Sequence, residues 1–277
     1  MEISAADVKK LREETGAGMM ECKKALIEAN GDAQAAAKIL KEKGLAAVAQ
    51  RAGRTTAEGR IFVRTAGNTI VMAELTCETD FVAKNADFIA LGEKILDITI
   101  EHGYTKVEKV HEDLVLELAT KIRENMAVRR IAAVTVPDNA VGATYVHSDF
   151  KTGAIVVITG STADIVKTFA YDCCLHLAAF TPAYITQKEV PAAYIDEQTD
   201  IFKAQMDNDE KIAGKPQNVK DGILKGKVAK HLAEICFVDQ PFVKDDKKTV
   251  NAQLTEIGTA AGAKLSFADI VLYVLGK

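Results

Sequence analysis

One order of elements occurs twice in this chain, and it constrains the fold more than any other feature. Arg60-Ile61-Phe62-Val63-Arg64, a turn at Gly67-Asn68 and the apolar run Ile70 to Leu75 read as a β-hairpin. A helix follows, with Phe88, Leu91 and Ile95 at helical spacing. The order returns at Ala143-Thr144-Tyr145-Val146-His147, a turn near Lys151-Thr152-Gly153, and the strand Ala154-Ile155-Val156-Val157-Ile158. After Ser161 a second helix carries Ile165, Val166 and Phe169. Hairpin-then-helix repeated predicts an internally duplicated α+β core. Residues 112–130, with Leu114, Leu116, Leu118, Ile122 and Met126, read as a helical spacer between the copies.

Two helical additions flank this core. At the N-terminus, Ser4 with Asp7 resembles a capping box and opens a helix that carries Val8 and Leu11 on one face. Thr15-Gly16-Ala17-Gly18 breaks it, and a second helix starts near Met19 and buries Cys22, Ala25 and Leu26. Asn30-Gly31 ends that helix; Asp32 caps a third, whose apolar face is Ile39-Leu40 and which Gly44 closes. Residues 45–58 then connect to the first strand. Farther on, Ala192 to Asp207 is amphipathic through Ile195, Ile201, Phe202 and Met206. A polar tip follows, then a helix with Pro216 in its first turn and Val219, Ile223, Leu224, Val228, Leu232 and Ile235 along it. The pair reads as an antiparallel helical hairpin. After it, Ile270 to Val274 is strand-like. The boundaries expected are therefore 1–52 for the three-helix domain, 53–140 for the first half of the core, 141–190 with 237–277 for the second half, and 191–236 for the inserted hairpin.

The remaining features exclude more than they identify. A length of 277 residues with 48% hydrophobic and 27% charged residues suits about two globular domains. The net charge of −4 argues against a surface built to grip phosphate backbones, so no direct nucleic-acid partner is expected. Five cysteines, odd in number and without a CxxC pair, suggest neither a disulfide framework nor a zinc ribbon, and fit a reducing compartment. With no signal-peptide core and no apolar run of membrane-spanning length, the expectation is a cytoplasmic protein without a membrane partner. Gly16-Ala17-Gly18 follows no strand and lacks the lysine of a phosphate loop. Cys173 and His176 share a helical face, but no second ligand cluster accompanies them. The same pattern leaves His176 as either a satisfied core histidine or a surface contact. No nucleophile elbow occurs, and paired acids such as Glu13-Glu14 and Asp245-Asp246 lie on polar stretches. No catalytic residue, metal site or cofactor is expected.

Thr79-Asp80-Phe81-Val82 is the stretch that asks for a function. After the strand ending near Leu75, a carboxylate and a large ring sit side by side ahead of a helix that begins near Asn85. Asp80 can cap a short helical turn while Phe81 folds back on the core. Alternatively, Phe81 anchors a partner, as aromatic side chains on rigid turns often do. Local sequence admits both.

Several separated segments together resemble one family. They are Val8 to Met20 (VKKLREETGAGMM) with Cys22-Lys23-Lys24-Ala25-Leu26, Cys77 to Asn85 (CETDFVAKN), His176-Leu177-Ala178-Ala179 with Pro182, Ala213-Gly214-Lys215-Pro216, and Asp239 to Asp245 (DQPFVKD). In this order, over nearly the full chain, they resemble the elongation factor Ts family, guanine-nucleotide exchange factors for elongation factor Tu. Where the family commonly has Gly-Glu-Asn before a basic pair, this chain has Arg123-Glu124-Asn125 and then Arg129-Arg130. The resemblance implies a ubiquitin-associated-like three-helix domain, a two-part α+β core and a protruding hairpin. It implies a role in translation elongation, with elongation factor Tu as partner. The turn Thr79, Asp80, Phe81 and Val82 would wedge beside the helices that support Tu's magnesium and phosphate site. Val8, Leu11, Met19 and Met20 on the N-terminal helices would touch the GTPase domain, and His176 another domain of Tu. No covalent chemistry is implied, so an absent active site is expected.

Overall fold

The computed structural model describes residues 3–277. The chain divides into two compact units. The first comprises the chain up to Thr135 together with 146–153 and 273–277, and the second 136–145 together with 154–272.

The first unit opens with helices α1 (Ala5–Thr15), α2 (Met19–Glu28) and α3 (Ala33–Arg51). Their starts and stops follow local chemistry. Ser4 Oγ accepts from the Asp7 amide at 3.2 Å and donates to its carboxylate at 2.6 Å. Gly16 ends α1 in the left-handed region at φ 68°, where a missing Cβ removes the steric cost. Asp32 Oδ1 caps α3 by accepting from the Gln34 and Ala35 amides. Val8, Leu11, Cys22, Ala25, Leu26 and Ala36 form the small core between the three helices.

Gly44 does not close α3, which continues for seven more residues to Arg51. Its place is explained by packing. A Cβ added there would lie 2.4 Å from Thr120 Cγ2 on α6 (Lys109–Ile122). Thr120 cannot swing aside freely, because its hydroxyl donates to the Leu116 carbonyl at 2.8 Å. Gly44→Ala is expected to lower stability by about 1–3 kcal/mol despite alanine's better helix propensity. A urea-unfolding midpoint equal to or above the wild type's would contradict this.

Between α3 and α6 come β1 (Glu58–Ala66), β2 (Thr69–Cys77), the single turn α4 (Asp80–Ala83) and α5 (Ala86–His102). After α6 comes β3 (Met126–Thr135), and the sheet order is β1-β2-β3, antiparallel throughout. The residues expected as a helical spacer up to 130 therefore divide. The helix stops at Ile122, and Met126 is the first residue of an edge strand paired with Cys77. Arg123 breaks the helix by adopting φ 68°. A left-handed C-cap of this kind ordinarily favours glycine. Here an arginine takes the same backbone conformation and pairs its guanidinium with Glu21 on α2. Phe62, Val71, Phe88, Ile95, Leu96 and Ile131 are among the residues filling the space between this sheet and its helices. The central strand β2 also buries Glu74, which is held by Arg130 Nε at 2.5 Å, Arg129 at 3.1 Å and the Gly276 amide at 2.9 Å.

β4 (Ala140–Val146), β5 (Thr152–Thr159) and β8 (Ser266–Val274), most of whose residues lie in the second unit, form a sheet in the order β4-β5-β8. Helix α7 (Asp164–Phe180) follows β5 as α5 follows β2, so hairpin-then-helix recurs as the sequence pattern implies. Val166, Phe169, Cys173, Cys174 and Leu177 face the core, but Ile165 points outward at 42% exposure. Helices α8 (Ala192–Asp207), α9 (Glu210–Ala213) and α10 (Gln217–Ile235) form the inserted hairpin. Tyr194 Oη lies 2.9 Å from His231 Nε2, while Lys220 approaches Asp207 at 3.8 Å, which fixes the antiparallel pairing. Pro216 sits at the N-cap rather than inside the first turn, and Ile201 and Val219 stay exposed. A short pair, β6 (Pro241–Phe242) with β7 (Asp245–Thr249), and α11 (Val250–Ala260) complete the unit. The overall class is α+β. Among the described residues no helix is long and apolar enough to cross a membrane.

Candidate functional site

The turn after β2 is held at both ends. Thr79 is the N-cap of α4, its Oγ1 accepting from the Val82 amide at 3.4 Å, and Asn85 caps the following helix by accepting from Asp87 at 2.8 Å. Successive residues of a helix point about 100° apart, so a single turn with two consecutive inward residues must turn the other two out. Val82 and Ala83 are the inward pair, 8% and 6% exposed. Asp80 and Phe81 consequently face solvent. Phe81 is 80% exposed, more than any other large hydrophobic side chain among the described residues. Of the two readings the sequence allowed, the helical turn is present, but Thr79 rather than Asp80 caps it and the ring does not fold back. Lys84 Nζ sits 2.6 Å from Asp80 Oδ2, and this hydrogen bond holds the carboxyl below the usual carboxylate range.

A second stretch of chain seats this turn. Glu124 Oε2 accepts from the backbone amides of Glu78 and Thr79, each at 3.1 Å, and its Oε1 accepts from Thr79 Oγ1 at 2.6 Å. The exchange is reciprocal, for Glu78 Oε1 accepts from the Asn125 amide at 2.6 Å. Asn125 Nδ2 in turn donates to the Arg54 carbonyl at 2.7 Å. Cys77 and Met126 are ladder partners, so the strands deliver residues 78–79 and 124–125 side by side. Burial, with the Glu124 charge adding to it, pushes the Cys77 thiol up to about 12, leaving it an inert neutral group beneath the turn. Glu78, Glu124 and Asn125 were not singled out as site residues from sequence. The Arg123-Glu124-Asn125 segment carries the signal for the last two, while Glu78 lies inside the Cys77 to Asn85 segment.

The other expected contact residues separate by exposure. On α2, Met19 (44%) and Met20 (64%) are open to solvent, and Ile27 lies exposed two turns on from Met20. Val8 and Leu11 instead belong to the three-helix core, because α1 needs both to cover Cys22 and Leu26. They support this face and do not form it.

His176 is fully buried, which resolves its two readings in favour of the core. Its Nδ1 accepts from the Val243 amide at 3.2 Å, so Nε2 carries the proton and donates to Gln240 Oε1 at 2.9 Å. Rings of Phe180, Phe237 and Phe242 surround it at centroid distances of 4.7, 5.4 and 6.1 Å. What reaches the surface beside it is Phe180 and Val243. Its neighbour Cys173 is also fully buried, and desolvation raises that thiol well above its ordinary value. Burial lowers the pKa of His176, and likewise of His111, another fully buried histidine. In the unfolded chain both groups take up a proton near pH 6.5, whereas in the folded chain they resist it, so stability falls as pH drops below about 6.5. Urea midpoints are expected to be lower at pH 5.5 than at pH 7.5; equal midpoints would contradict the neutral buried state.

Comparison with known proteins places this geometry in a family. The family model for elongation factor Ts matches residues 78–277, the portion that begins at the turn itself. Elongation factor Ts of Treponema denticola is 51% identical over 281 residues, covering 100% of this chain and 99% of the relative. Those of Treponema pallidum and Clostridium acetobutylicum are 48% and 37% identical, covering 100% and 99% of this chain and 99% and 93% of the relatives. On a family match of this extent and full-length identity of this degree, the chain belongs to the elongation factor Ts family of translation elongation factors.

Proposed function

We propose that this chain is a guanine-nucleotide exchange factor acting on elongation factor Tu in the cytoplasm, without covalent chemistry, cofactor, nucleic acid or membrane. The observation that carries the reading is the Phe81 ring, four-fifths exposed on a turn fixed by Thr79, Asn85 and Glu124. A rigid turn loses little conformational entropy on binding, so the free energy of inserting the ring can be used against the partner's own contacts. The ring and the Asp80 carboxylate enter beside the helices that support the magnesium and phosphate site of Tu. Contacts to GDP weaken, the nucleotide leaves, and GTP in excess takes its place. Met19 and Met20 on α2 add a second contact to the GTPase domain, and the surface around Phe180 and Val243, positioned by His176, adds a third to another domain.

Binding linkage tests this directly. If the chain weakens GDP binding by some factor, GDP weakens the chain's own binding by the same factor. Coupling energies of about 1–3 kcal/mol are common, and an exchange factor belongs at the upper end, about 150-fold. Titration calorimetry is expected to show much tighter binding to nucleotide-free Tu than to Tu saturated with GDP. Equal affinities for the two forms would remove the basis for exchange.

A further inference from the structure

The tip of the β4–β5 hairpin, residues 147–151, carries an exposed aromatic in an unusual backbone state. Phe150 is 41% exposed and adopts φ 60°, a region that bulky L-residues rarely occupy. The conformation is fixed from both sides. The Phe150 amide donates to the His147 carbonyl at 2.8 Å, and its own carbonyl accepts from the Ile61 amide at 2.8 Å on the outer edge of β1. The Arg60 guanidinium lies 3.5 Å from the centre of the Phe150 ring and 5.8 Å from that of Phe62. Arg60 Nε is buried with no hydrogen-bond partner, and the guanidinium lies against the face of the ring.

This tip is tied to the strand ends that lead into the Phe81 turn. Lys151 Nζ pairs with Glu58 Oε2 at 2.7 Å, and Glu58 is the ladder partner of Cys77, two residues before Thr79. The hydrogen bond to Glu58 raises the Lys151 ammonium pKa most, and the Asp149 and Asp80 charges add to it.

We propose that Phe150, backed by Arg60, is a second aromatic anchor for the GTPase that the Phe81 turn enters, gripping an apolar side chain of that partner at the margin of the wedge. The inference rests on the exchange-factor reading above. A backbone held where a glycine would be more stable, around a ring that solvent reaches, is accounted for by a role in binding rather than in folding.

The test compares wild type, Phe81→Ala, Phe150→Gly and Phe150→Asn by affinity for nucleotide-free elongation factor Tu and by melting temperature. Glycine and asparagine both tolerate the left-handed region. Both Phe150 variants are expected to melt at or above the wild-type temperature and to bind Tu about tenfold more weakly. Wild-type affinity in both, or a clear drop in melting temperature in both, would overturn the proposal, the second result making the ring a structural prop. Wild type that fails to bind Tu would defeat the exchange-factor reading and this inference with it. Tight wild-type binding lost in Phe81→Ala but kept in the Phe150 variants would defeat this inference alone.

Discussion

Phe81→Ala is expected to abolish most of the acceleration of GDP release while leaving the fold intact. Truncating a buried phenylalanine costs about 3–5 kcal/mol, because it removes transfer free energy and leaves a cavity. Phe81 has little of either to lose, since 80% of its surface is already in water and its turn is secured by neighbouring caps. Its truncation should change unfolding free energy by no more than about 0.5 kcal/mol. Its loss at an interface is of another order. Aromatic hot spots contribute about 2–4 kcal/mol, so affinity for nucleotide-free Tu should fall by about 30-fold or more. Chemical denaturation and calorimetry on one preparation separate the two quantities. A large stability loss with unchanged affinity would make Phe81 a core residue and end the wedge account.

Glu124→Ala should damage both stability and exchange. The carboxylate receives three hydrogen bonds, two from backbone amides and one from a hydroxyl, and among the described residues no other group bonds the Glu78 and Thr79 amides. Hydrogen bonds to a charged acceptor contribute about 1.5–3 kcal/mol each where buried. Here the site is half-open and water replaces part of the loss, so a net cost of about 2–3 kcal/mol is expected. Exchange should fall as well, because Phe81 remains present but its turn is no longer fixed. Glu124→Gln keeps the shape and one acceptor oxygen but turns an NH2 group toward donors, so it should lie between alanine and wild type. An alanine variant with wild-type denaturation and exchange would show that Thr79 and Asn85 suffice to seat the turn.

These two residues also show where sequence is informative. The periodicities that define α2, β1, β2, α5, α8 and α10 depend on apolar residues recurring on one face, a property of the local chain. Caps such as Ser4 and Asp32 are equally local, and they form as the residues indicate. Failures arise where a distant partner decides. Gly44 reads as a helix stop because glycine usually is one, but here it leaves room for Thr120, seventy-six positions away. Arg123 ends α6 although arginine is a good helix former, since the chain must turn left-handed to start β3. Val8 and Leu11 lie in a segment rich in family signal, and only burial reveals that they stabilise the domain from within. The orientation of Phe81 could not be read locally. It follows from Val82 and Ala83 having a core to face, and that core is built by β1, β2 and α5. Glu124 is hardest of all, being one of many acids until the strand register sets it beside Thr79.

The most direct measurement is stopped-flow release of fluorescent GDP from elongation factor Tu, chased with unlabelled nucleotide, at increasing concentrations of this chain. The account predicts a release rate that climbs with concentration to a plateau at least about tenfold above the spontaneous rate, a lowering of the release barrier by about 1.4 kcal/mol or more. A release rate that stays at the spontaneous value at every concentration of folded chain would contradict it.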